Sequence, residues 1–91
     1  MLDKITIVSS QCRAARALLN WSRGELSEKC NVSLATLADF EIGKREPYSR
    51  TLLDIQTALE TAGIEFLEDG ASSQNGGAGV RLKATSDMPR S

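Results

Sequence analysis

The chain has 91 residues, a formal net charge of −1, no histidine and two cysteines, with 41% apolar and 4% aromatic residues. That size and apolar content suit one small domain whose core is filled by Leu, Ile, Val and Ala. Without histidine there is no histidine-based acid–base pair, triad or metal site, and two lone cysteines cannot build a four-thiolate zinc site, so an enzyme is not expected.

No apolar run approaches the ~20 residues of a membrane helix. The start, MLDKITIVSS, has an early acid and no long apolar segment, so neither a secretory signal nor a membrane partner is expected. The expectation is a cytoplasmic protein with Cys12 and Cys30 as reduced core residues, and no cofactor, metal or small-molecule ligand. Charge is unevenly spread. Residues 1–70 carry 8 basic and 11 acidic side chains, and residues 71–91 carry 3 and 1. Nucleic-acid binders are usually basic overall. Affinity for DNA would therefore have to come from a local patch.

Residues 1–8 read as an N-terminal arm, with DKITIV either extended or part of a strand. Ser9 or Ser10 is expected to cap a first helix running to about Asn20. Cys12, Ala15 and Leu19 line one face of it and Ala14 and Leu18 a neighbouring one, a wide apolar stripe that calls for burial on two sides. Trp21 closes the helix end and packs as a lid. Arg16 falls on the inner side, where it either pairs with an acid, Glu41 being the candidate, or stays solvated and unpaired.

Ser22 and Glu25 form S-x-x-E, a capping box, at the head of a helix over about 23–30. Leu26 and Cys30 give it one narrow apolar face. Asn31 tolerates the left-handed backbone that ends a helix, and Val32 plugs the turn. Ser33 caps the next helix, about 34–42, with Leu37 and Phe40 inward. Gly43 ends it, and Lys44 and Arg45 lie where a helix C-terminus favours cations. Two such short helices cannot fold alone. Once packed, the second should show Leu34, Ala35, Ala38 and Asp39 outward, the geometry for entering a DNA major groove.

After Glu46-Pro47, Ser49 is expected to cap a fourth helix to about Ala62, with Leu52, Ile55 and Leu59 at core spacing and Gly63 as its stop. Residues 64–84 read as a β-hairpin. IEFL is the first strand, the glycine-rich 69–79 a flexible loop, and GVRLK the return. A hairpin is marginal alone, so it should lean on Ala14 and Leu18 or on a second subunit. Residues 85–91 should form a short disordered tail.

Leu26, Ser27, Asn31-Val32, Leu37, Phe40-Glu41 and Gly43-Lys44 together resemble the phage-repressor (Cro-like, Xre-type) helix-turn-helix family, over about Gln11 to Ala62. The resemblance implies a mainly α fold: a four-helix helix-turn-helix domain over residues 9–63, then the hairpin and tail. It also implies an ion pair between a first-helix arginine and the glutamate ending the recognition helix, the places of Arg16 and Glu41. Arg23 stands where the family often has glutamine, Ser27 where alanine is usual, and Asn31 where glycine is usual.

The expected function is a small repressor-type transcriptional regulator binding a double-stranded DNA operator as a homodimer. Arg23, Lys44, Arg45, Arg50 and Arg13 would hold phosphates. Ser33, Leu34, Ala35, Thr36, Ala38 and Asp39 would face the groove. Base reading favours Arg, Lys, Asn or Gln, whereas Leu34, Ala35 and Ala38 offer only apolar contact, as to a thymine methyl. The alternative is an antiactivator or antitoxin-like protein that binds another regulator through the exposed helix 34–42.

Overall fold

The computed structural model describes residues 7–68 and 76–83. The outer part of the N-terminal arm, most of the glycine-rich loop and the tail lie outside the described residues. Four helices, α1 (Ser9–Leu19), α2 (Arg23–Cys30), α3 (Leu34–Glu41) and α4 (Ser49–Thr61), precede strands β1 (Ile64–Leu67) and β2 (Gly79–Leu82). The mainly helical fold with a terminal hairpin expected from the sequence is present.

The motif helices form through local capping. The Ser22 hydroxyl accepts the Glu25 amide at 3.0 Å, and the Glu25 carboxylate accepts the Ser22 amide at 2.8 Å. Asn31 takes φ 61 and ends α2. Ser27 then fastens the turn, its hydroxyl donating to the Val32 carbonyl at 2.6 Å. This serine thus ties α2 to the linker. Ser33 caps α3 by accepting the Thr36 amide at 3.1 Å. Asn31→Val places a β-branched side chain in a left-handed backbone and should cost about 1–2 kcal/mol, while Asn31→Gly should be near neutral. Urea unfolding of the two variants measures the difference.

Two caps differ from the serine rule. Val8, not Ser9 or Ser10, is the N-cap of α1, and its amide is accepted by Gln11 Oε1 at 2.9 Å. Tyr48, not Ser49, is the N-cap of α4, with no side-chain cap bond. Gln11 is drawn inward because its amide also donates to the carbonyls of Leu67 and Gly79, at 3.3 and 3.0 Å. The hairpin is therefore fastened to α1 by Gln11, whereas Leu18, expected beneath it, is 43% exposed.

The core gathers Leu26, Leu37, Phe40, Ile55, Leu59 and Ile64 around Cys12 and Ala15, with Ile7 of the arm also buried. Antiparallel pairing sets Ile64 opposite Leu82 and Phe66 opposite Val80. Ile64 and Phe66 face the core, while Glu65 and Arg81 pair on the outer face at 3.0 Å. Both cysteines are free and buried, and Trp21 packs half-buried against the core.

Candidate nucleic-acid interface

The site is organised by a buried carboxylate. Glu41, the last residue of α3, has no exposed surface. Its Oε1 accepts from Arg16 at 2.7 Å and from Arg23 Nε at 3.1 Å. Its Oε2 accepts from Arg16 Nε at 2.8 Å and from the Cys12 thiol at 3.2 Å. Its backbone carbonyl accepts from Arg13. One side chain thereby ties α1, α2 and α3 together and fixes the tilt of α3.

The electrostatics agree with this geometry. Burial alone would raise the Glu41 carboxyl, but hydrogen bonds from Arg16, Cys12 and Arg23 outweigh it and hold the carboxyl below the usual range. Burial, reinforced by the neighbouring carboxylate, pushes the Cys12 thiol far above its ordinary value. The thiol is a neutral donor here, not a nucleophile.

Anchored in this way, α3 turns its first residues outward. Leu34 is 51% exposed and Ala35 is exposed. Thr36, Ala38 and Asp39 are half-buried, so the free surface of the helix is concentrated in its N-terminal half. Ser33 is exposed, but its hydroxyl is occupied as the cap and also bonds the Thr36 hydroxyl at 2.9 Å.

The cations expected at phosphates divide into three groups. Lys44 and Arg45 are exposed just beyond α3, where the Asp39 carbonyl accepts both their amides, at 2.8 and 3.3 Å. Gly43, at φ +80, makes that turn possible. Arg13 and Arg23 are drawn toward Glu41. Arg23 gives it only Nε and Arg13 only one terminal nitrogen, so among the described residues their other N–H groups face no acceptor. Arg50 is exposed in the first turn of α4. It pairs with Asp54 at 3.7 Å and borders a groove between α2 and α4, while its chain neighbour Thr51 lines the surface shared by Thr36 and Arg45.

The surface beside α3 has a feature that no sequence periodicity announces. A notch of about 390 Å³ is lined by Thr36, Arg45, Glu46, Pro47, Tyr48 and Thr51, and Tyr48 is 88% exposed. An aromatic placed directly after proline at a helix start was the available signal, because nothing local buries it.

A short helix with an outward first turn, locked by α2 and flanked by Lys44 and Arg45, defines a helix-turn-helix DNA-binding regulatory domain. Residues 13–66 match the helix-turn-helix family, and the chain belongs to it, in the Cro/Xre-type branch. No curated protein matches the chain. Among the described residues no helix is long and apolar enough to cross a membrane.

Proposed function

We propose that the protein is a repressor-type transcriptional regulator that binds a DNA operator as a homodimer, laying the N-terminal half of α3 in the major groove. The observation that carries this is the exposure of Leu34 and Ala35 on a helix whose other end is locked by Glu41. Leu34 and Ala35 read by apolar contact, which favours thymine methyl groups, and Thr36 adds one hydroxyl. Lys44, Arg45 and Tyr48 take phosphates on one side of α3. The uncommitted N–H groups of Arg23 and Arg13 take them on the other. Repression follows from occupancy of the operator.

The test is a salt series on a duplex selected from a random library. Lys44→Ala and Arg45→Ala should each flatten the slope of log K against log salt by about two phosphates' worth, ~1.8, one from each protomer. Arg81→Ala, on the outer face of the hairpin, should leave the slope unchanged. Absence of any duplex binding at low salt would overturn the proposal.

A second reading has one observation in its favour. Leu34, at the start of α3, and Ile42, just past its end, are apolar and 51% and 67% exposed. In this reading α3 docks into the groove of another regulatory protein. Leu34→Asp would then abolish capture of that protein, while Lys44→Ala and Arg45→Ala would spare it.

A further inference from the structure

One face of α4 borders an open groove of about 800 Å³ between α2 and α4. Along α4 this face presents Arg50, Leu53, Asp54, Thr57, Ala58 and Thr61, spaced three and four apart on one side of a 13-residue helix about 20 Å long. Leu53 stands 54% exposed in the middle of the first half. The second half is small, with Thr57, Ala58 and Thr61 leaving a shallow floor beside Trp21 and Cys30. Leu53 is a knob, and Arg50, Asp54 and Thr57 around it outline a hole on the same surface.

The charges repeat this self-complementarity. Arg50 and Asp54 lie four apart, and their contact within α4 is weak: 3.7 Å long, with side chains 84% and 47% exposed. An antiparallel copy reverses the order, so that the arginine of each helix meets the aspartate of the other. Two-fold packing requires this pattern, since any contact between residues i and j must also be made between j and i.

We propose that a second copy of this chain docks in the α2–α4 groove, the two α4 helices running antiparallel about a dyad near Leu53. Leu53 of each copy seats among Arg50, Asp54 and Thr57 of the other, and Arg50 exchanges its partner for Asp54 across the dyad. Thr57, the small member of that set, lets the helices approach to the 8–10 Å usual for packed pairs. This assignment rests on the dimeric part of the function proposed above, and it leaves Leu34, Ala35, Lys44 and Arg45 free for DNA.

Sedimentation of the full chain over a concentration series tests it, with circular dichroism melts to show that each variant folds. Wild type should reach the mass of two chains, and Leu53→Glu should stay at one. Arg50→Asp and Asp54→Arg should each weaken association by about tenfold or more, because each sets like charges face to face. The double exchange R50D/D54R should restore it. Wild type at the mass of one chain, a folded Leu53→Glu still at two, or a double exchange no better than the single ones would overturn the proposal. Binding to the selected duplex, measured in parallel, separates the two claims. A dimer with these responses that binds no DNA would leave this interface standing and remove the operator reading.

Discussion

Glu41→Gln should remove about 3–5 kcal/mol of folding stability, the range for taking one partner from a buried ion pair. The carboxylate answers four donors with two oxygens. An amide offers one oxygen and turns two N–H groups toward the rest. In one orientation these meet Arg16 Nε and the Cys12 thiol. In the other they meet the second Arg16 nitrogen and Arg23. Either way Arg16, whose side chain is 17% exposed, keeps a charge without a counter-ion. A domain of this size has only about 5–15 kcal/mol of net stability, so the variant should be close to unfolding. Urea denaturation near neutral pH measures the loss.

Acid adds a second signature of the same group. The folded Glu41 carboxyl lies below its ordinary value, so the unfolded chain takes up the proton first. Its stabilising contribution is complete above the ordinary glutamate value and is lost as pH falls through the depressed folded value. The difference between wild type and Glu41→Gln should therefore be constant from neutral pH down to the ordinary value and narrow below it. A difference of the same size at all pH values would mean that the loss comes from shape, not from charge.

The motif helices were legible because their determinants are local. Ser22 and Glu25 meet within one turn, Asn31 supplies its own left-handed backbone, and Leu26, Leu37 and Phe40 declare their faces by spacing. The hairpin was legible by alternation, and its register follows from Ile64 and Phe66 both seeking the core. What the sequence hid is non-local. Nothing near Arg13 or Arg23 announces that a glutamate 28 or 18 residues on will claim part of each guanidinium. The same holds for Gln11. Two serines stood ready to cap α1, but a glutamine that could reach both the Val8 amide and the hairpin carbonyls made the more useful set of bonds. Tyr48 escaped because an exposed aromatic leaves no periodic trace. Ala38 and Asp39 are half-buried beside Phe40 and Glu41, the two buried residues that end α3.

Ala35→Glu should weaken DNA binding by about 100-fold or more while leaving the fold intact. Ala35 is exposed in the first turn of α3, where no acidic residue stands. A carboxylate there suits the positive end of the helix and should hold or slightly raise the melting temperature. In the major groove the same carboxylate would be pressed toward a polyanion and lose its water, and such a like-charge approach costs several kcal/mol. Stability and binding are thus driven in opposite directions by one atom group, which no general damage to the domain can imitate. The measurement is the equilibrium affinity of wild type and Ala35→Glu for one selected duplex at fixed salt, with thermal melts of both proteins. Loss of binding by a variant that melts no lower than wild type is the predicted result. Equal affinities would show that the outer face of α3 does not enter the groove.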